Sequence, residues 1–192
     1  MYLFFDTETT GIPKNYNAPL TDFENWPRLV QIGWVLYDNE KKFVAEAEFI
    51  VKPDGFEIPE GASNVHGITT EKALSIGDPL EEILGIFKKT LEGCDTIVGH
   101  NLSYDESIVG AEFLRLKMEN PIPSKKLVCT MKSSTAYCKI PGGYSGKFKW
   151  PKLHELYSTL FHEDMGAAHT ALMDIQNTAK CYFELERLGV IA

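Results

Sequence analysis

Residues 2–11, Tyr2-Leu3-Phe4-Phe5-Asp6-Thr7-Glu8-Thr9-Thr10-Gly11, set two acids directly behind an apolar run. Four consecutive apolar residues predict a short strand buried on both faces, as a central strand is. Side chains two apart on a strand share a face, so Asp6 and Glu8 point the same way at its end. Gly11 then lets the backbone leave through a turn with unusual dihedrals. Two carboxylates held side by side repel, and a divalent cation between them relieves that repulsion best. The pair alone is also what a solvated strand end looks like, so the rest of the chain has to decide.

Outward from this strand, residues 12–27 are rich in Pro and Asn without a clean period and predict a long loop beside the site. Residues 29–37 (LVQIGWVLY) and 43–51 (FVAEAEFIV) are apolar and β-favoured, and the linker 38–42 predicts an antiparallel hairpin. Residues 53–67 read as irregular. A helix is expected from Pro79 to Leu91, with Leu80, Ile83, Leu84 and Phe87 on its apolar face. Residues 96–99 (TIVG) form a short buried strand, followed by His100, Asn101 and a helix whose Ser103 and Glu106 have capping-box spacing. A strand at 127–129, a helix at 130–138, a Gly/Lys/aromatic loop at 139–150, a helix from Pro151 to about Phe161 and a last helix from about Thr170 to Leu188 complete the chain. Ala171, Ile175, Ala179, Tyr182 and Phe183 fall on the buried side of that last helix. The order predicts an α/β layer fold: a mixed sheet with three antiparallel strands first, then shorter parallel strands, flanked by helices.

The 192 residues are expected to form a single domain, 1–192, large enough for a substantial core. No run approaches the roughly 18 apolar residues of a membrane span. With the strand starting at residue 2, no leader is expected before it, and a cytoplasmic protein without membrane attachment is the reading. Cys94, Cys129, Cys138 and Cys181 lack C-x-x-C spacing, which argues against a zinc ribbon and for reduced thiols. A net charge of −8 argues against a protein that coats polyanions indiscriminately. Positive charge is nevertheless local: Lys139, Lys147, Lys149 and Lys152 are interleaved with Tyr144, Phe148 and Trp150, a mixture suited to phosphate contact and base stacking and equally to a solvated loop.

Three further residues belong with the acidic pair. Asp105 lies in the first turn of the helix after residue 101, where an acid also simply favours the helix dipole. His169 and Asp174 are five apart, which on an ideal helix leaves them roughly 140° from one another. They converge only if His169 precedes the helix and Asp174 lies just inside it, with Thr170 as N-cap.

Taken together, FDTETTG (5–11), HNLSYD (100–105) and HTALMD (169–174) occur in this order at the start, middle and end of the chain, and VHGIT (65–69) lies between the first two. This set resembles the DEDDh branch of the DnaQ-like 3′–5′ exonucleases, in the ribonuclease H-like superfamily, over essentially the whole of Asp6 to Asp174. The resemblance implies that Asp6, Glu8 and Asp174 hold two divalent ions directly, that Asp105 completes the metal site partly through water, and that His169 is the general base. Two Mg²⁺ or Mn²⁺ ions about 3.5–4 Å apart can flank a phosphodiester, and four hard oxygen ligands without thiols suit those ions. A histidine with an ordinary pKa near 6.5 can accept the proton of water close to neutrality. By the same resemblance Thr9, Thr10 and Gly11 would meet the terminal sugar and base, His66 and Asn101 the terminal nucleotide, and His100 would order the strand end before Asp105.

Two departures from the family stand out: the length of 12–27, and 139–152 with its Gly-Gly and Lys/Trp content. Neither touches a catalytic position. The expected activity is removal of nucleoside 5′-monophosphates from the 3′ ends of single-stranded DNA, because DTETTG and VHGIT are similar to proofreading and repair members. An RNA-trimming enzyme of the same branch is the alternative, since discrimination rests on contacts around the 2′ position. A non-catalytic nucleic-acid binding domain would need neither the acids nor the base. A DNA polymerase subunit is a candidate partner, and the sequence says nothing of oligomeric state.

Overall fold

The computed structural model describes residues 1–143, 147–166 and 171–191. Five strands form one mixed sheet in the order β3-β2-β1-β4-β5. β1 (Tyr2–Thr9), β2 (Leu29–Tyr37) and β3 (Phe43–Ile50) are antiparallel neighbours, whereas β4 (Thr96–Gly99) runs parallel to β1 and β5 (Lys126–Cys129) parallel to β4. This is the expected mixed sheet, with β1 at its centre. The apolar run behaves as predicted: Leu3 and Phe5 enter one core and Phe4 the opposite one.

Each core is closed by helices. On the Leu3 face lie α3 (Leu80–Glu92), through Ile83, Leu84, Phe87 and Leu91, and α4 (Leu102–Arg115), through Ile108, Val109 and Phe113. On the Phe4 face lie α6 (Leu153–Phe161) and α7 (Ala171–Arg187), through Leu156, Leu160, Ile175, Ala179 and Tyr182. Phe183 is only partly buried but joins Tyr2, Phe4 and Tyr37 in a cluster of edge-on aromatic contacts 5.1–5.8 Å apart. α5 (Thr130–Cys138) follows β5 directly. Among the described residues no helix is long and apolar enough to cross a membrane.

Two expectations need correction. Residues 53–67 are not irregular throughout: α1 (Glu60–His66) ends on Gly67 at φ 74°, and α2 (Thr70–Ile76) follows, its first turn capped by the Thr69 hydroxyl accepting from Lys72 N–H (3.2 Å). α1 buries none of its residues and α2 only Ala73, so neither leaves the apolar stripe by which helices are recognised in sequence. The capping box at Ser103 is not made either. The helix begins one residue earlier, with Asn101 as a left-handed N-cap at φ 70° that provides no side-chain bond, because the chain reverses sharply on leaving β4. Asparagine tolerates that conformation better than most residues.

The loop at 12–27 is tied down rather than loose. Asn15 and Asn25 exchange two bonds (2.8 and 3.0 Å), Trp26 Nε1 donates to Pro19 O (3.0 Å), and Arg115 Nη2 donates to Phe23 O and Trp26 O (2.9 and 2.7 Å). Beneath it the wholly buried Glu112 accepts from Arg28 Nε (2.9 Å) and Leu29 N–H (3.0 Å), with Arg115 3.1 Å away. A buried carboxylate held by two guanidinium groups satisfies charges that would otherwise be costly to desolvate.

Gly33 has the most direct bearing on the site. It pairs with Asp6 across β1 and β2, and a Cβ there would sit 2.9 Å from Ile175 Cδ1 and 3.7 Å from Ala171 Cβ. The absent side chain lets the first turn of α7 settle on the sheet beside Asp6. Gly33→Ala should be tolerated by rotation of Ile175, whereas Gly33→Val should cost roughly 1–3 kcal/mol by overpacking, read in urea melts. Equal stability of Gly33→Val and wild type would show that α7 does not depend on this gap.

Candidate active site

Strand alternation sends Asp6 and Glu8 to the α7 side of β1, in phase with Phe4, while Thr7 points to the α4 side. The β1–β4 ladder stops at Phe4–Val98, so beyond that pair β1 runs past its parallel neighbour. The first turn of α4 reaches this open flank, and there Thr7 holds Asp105: its hydroxyl donates to Asp105 Oδ1 (2.7 Å) and its backbone N–H to the same oxygen (3.1 Å). Asp174 comes from the first turn of α7 on the other side of the sheet. A register shift between Glu8 and Thr9 ends regular pairing with β2 at this point. Such irregularities re-aim side chains at sites.

The electrostatics show the four acids gathered around one another. The Asp6 carboxyl is pushed well above the usual carboxylate range, first by burial and then by the negative charges of Asp105, Glu8 and Asp174. Burial and then Asp174 raise Glu8. Asp105, only 3% exposed, is raised to about 7 chiefly by burial, with the Thr7 hydrogen bonds pulling the other way. Among the described residues no three His, Cys, Asp or Glu side chains close up into a ready-made metal cage. The donor set nonetheless fits a hard divalent cation: every atom is a carboxylate oxygen, and each charge raises its neighbour's proton affinity until positive charge offsets it.

Beside the acids lies a cleft of about 400 Å³ lined by Glu8, Thr9, Gly11 and Ile12 on one side and Gly61, Val65 and His66 of α1 on the other. Ile12 and Val65 are 75% and 80% exposed at its mouth. Of the residues expected to meet the terminal nucleotide, Thr9, Gly11, His66 and Asn101 line this cleft. His66 Nδ1 accepts from Ile68 N–H (3.2 Å), which leaves the proton on Nε2, beside the Thr9 backbone; burial pulls its pKa down. Thr10 is engaged differently: it is stapled to Arg28, accepting from Arg28 N–H at its hydroxyl (2.9 Å) and donating its own N–H to Arg28 O (3.0 Å). His100 likewise has both nitrogens bound, Nδ1 to the Thr130 hydroxyl and Nε2 to Pro151 O, each at 2.9 Å. It ties the end of β4 to the start of α5 and to the segment before α6. His169 and Thr170 lie outside the described residues.

Tyr104 was given no role by sequence reasoning, although it stands next to Asp105. Its hydroxyl bonds Gly11 O (2.7 Å) and the Thr9 hydroxyl (2.6 Å), clamping the turn after β1, and burial raises its pKa to about 12. Gly11 itself has φ 150°, a conformation that favours glycine. Gly33 was overlooked too, and its signal was available: an isolated glycine inside a strand pattern marks a close backbone approach.

The pKa of Asp105 fixes a sign for stability. In the folded chain it titrates at about 7, above the ordinary 3.8, so between these values the folded state holds a proton that the unfolded state has released. That contribution is full below 3.8 and is lost as the pH rises through about 7. In EDTA, Asp105→Asn should therefore gain Tm relative to wild type between roughly pH 5 and roughly pH 8. A Tm difference that does not change with pH would show that no charge is buried at this position.

Comparison with known proteins points to one family and one fold. The RNase T family model, described as Exonuclease, matches residues 3–182. The DNA polymerase III PolC-type of Ureaplasma parvum serovar 3 is 26% identical over 119 residues, which is 62% of this chain and 7% of that protein. E. coli exonuclease I in complex with a 5cy-dA13 oligonucleotide is similar in structure, with TM-score 0.73 and 19% identity over 97% of this chain and 40% of that one. An ExoI/SSB-Ct complex gives TM-score 0.73 at 18% identity, covering 97% and 41%. At such identities the solved structures speak for the fold, and this chain spans about two-fifths of their length. With the family model covering nearly the whole sheet-and-helix core that assembles the four acids, the chain belongs to the DnaQ-like exonuclease family.

Proposed function

We propose that this chain is a metal-dependent 3′–5′ exonuclease that hydrolyses the terminal phosphodiester of single-stranded DNA and releases nucleoside 5′-monophosphates. The observation that carries the proposal is the mutual charge coupling of Asp6, Glu8, Asp105 and Asp174 at the end of β1, next to a cleft between β1 and α1. Family membership and the likeness to an exonuclease described with a bound oligonucleotide support the same reading.

In this reading Asp6, Glu8 and Asp174 would hold two Mg²⁺ or Mn²⁺ ions. Asp105 would contribute its Oδ2 or a bound water, since Oδ1 is occupied by Thr7. Bound there, the ions would supply activation of water and stabilisation of the departing 3′ oxygen. The chain's own groups do the rest. His169 takes the proton of the attacking water. The rigid turn from Thr9 to Gly11, clamped by Tyr104, carries backbone groups toward the terminal sugar. His66, its Nε2–H turned to the Thr9 backbone, would set its ring in the opposite wall against the terminal nucleotide. Ile12 and Val65 give that nucleotide's base apolar surface on which to rest.

The test uses 5′-labelled single-stranded DNA and RNA of matched sequence with Mg²⁺, Mn²⁺ or EDTA. The expected result is a ladder shortening from the 3′ end that EDTA abolishes, faster on DNA. Asp6→Ala and Asp174→Ala should remove it, and His169→Ala should slow it by roughly 10²–10⁴-fold. Full activity of His169→Ala would reject the base assignment, a faster RNA ladder would replace the substrate, and no cleavage by folded protein would reject the enzyme reading. A polymerase partner, suggested by the PolC-type relative, is tested by whether a polymerase co-purifies with the chain.

A further inference from the structure

A second cleft, of about 790 Å³, adjoins the first, and Tyr16, Asn101 and Tyr104 line both. Its floor comes from the starts of α4 and α5, and its rim from the 12–27 loop through Tyr16 and from 139–152 through Trp150. Both aromatic side chains are left in water, 59% and 61% exposed. Exposed aromatic faces that share one cleft are surfaces on which unpaired bases can stack.

Their backbones, by contrast, are fixed. Tyr16 lies between Asn15, bonded twice to Asn25, and Asn17, whose N–H donates to Asn15 Oδ1 (2.9 Å). Trp150 lies between Lys149, whose N–H donates to Ile140 O (2.9 Å) and whose ammonium pairs with Glu155, and Pro151, whose carbonyl accepts from His100 (2.9 Å). Gly143 closes the same segment on itself: a Cβ there would meet the carbonyl oxygens of Lys147 and Phe148 at 2.2 and 2.4 Å, so no other residue fits. Two exposed rings on anchored backbone are pre-organised stacking platforms.

The charge at the cleft matches. In a chain of net charge −8, the rim carries Lys132 and Lys152, neither in a salt bridge among the described residues; Glu106 stands near Lys132, where it weakens but does not pair its charge. Separate bases with free faces and phosphates between them are the chemistry this surface recognises.

We propose that the second cleft binds the unpaired nucleotides immediately 5′ of the terminal one, their bases stacked on Tyr16 and Trp150 and their phosphates met by Lys132 and Lys152. This rests on the exonuclease reading of the adjoining acids and makes the enzyme selective for ends with a single-stranded run. Stacking accepts any base, so sequence plays little part.

The test measures anisotropy of 5′-fluorescein dT12 in EDTA, and kcat/KM in Mg²⁺ on dT12 and on the p-nitrophenyl ester of thymidine 5′-monophosphate, which carries only the terminal nucleotide. Trp150→Ala and Tyr16→Ala, checked for unchanged Tm, should each weaken dT12 binding by roughly ten-fold or more and lower kcat/KM on dT12 alike. The ester, with no nucleotide to place in the second cleft, should be cleaved by Trp150→Ala as by wild type. Pairing dT12 with dA12 to its 3′ end should abolish the difference between variants and wild type. Wild-type affinity for dT12 in both folded variants would overturn the proposal, as would an equal loss on the ester in Trp150→Ala. Failure of wild type to cleave either substrate while binding dT12 through Trp150 would instead sink the nuclease reading and keep the cleft.

Discussion

Negative charge packed into the end of β1 is the constraint around which the molecule is organised. Burial, and then the charges of Asp105, Glu8 and Asp174, raise the proton affinity of Asp6; burial and Asp174 raise that of Glu8; and burial, with Glu8, raises that of Asp105. Such a cluster opposes folding unless something holds it. Part of the holding is visible. Thr7 gives Asp105 two hydrogen bonds from the far side of the strand, and the absence of a side chain at Gly33 lets α7 bring its positive N-terminal end, and Asp174 with it, against the sheet. The remainder is what a bound cation would supply.

The surrounding structure turns that cluster into a place. β1 extends beyond β4, so a flank of the strand is open to a helix start; the shifted register after Glu8 ends the sheet; and Tyr104 grips the turn that follows. These are rigid elements, as a site held to sub-ångström tolerance requires. The walls are more individual. α1 carries almost no core contact, and the 12–27 and 139–152 segments are fastened largely by side-chain and backbone hydrogen bonds, with Trp26 and Leu20 packing the first against the core. A conserved kind of chemistry can thus sit on a common scaffold while these walls set which ends are admitted.

Much of this was legible in the sequence, and for identifiable reasons. β1 and β2 carry continuous apolar runs because both faces of the sheet are covered there, α3 carries a 3.6 stripe because one side faces a core, β3 is read from β-favoured residues alone since it buries none, and the two faces of β1 are already written in Leu3-Phe4-Phe5. The grouping of Asp6, Glu8, Asp105 and Asp174 followed from motif order, not from spacing, since the four come from three elements that only the sheet topology brings together. What could not be read was governed by features without a pattern. α1 and α2 bury too little to leave a stripe. The helix start at Asn101 depends on a chain reversal, which overrode the Ser103–Glu106 capping signature. The engagement of Thr10 with Arg28, and of both His100 nitrogens, depends on partners 18 to 51 residues away.

The central claim is that the buried acids form one cation site whose charge is held in check partly by protons. Calorimetric titration of the chain with Mn²⁺ at about pH 7, repeated in buffers of different ionisation enthalpy, tests it most directly. With Asp105 titrating at about 7, the account predicts two bound ions per chain, a buffer-dependent heat that reports proton release, and loss of both signals in Asp6→Ala. No binding, or binding with no proton released, would contradict it.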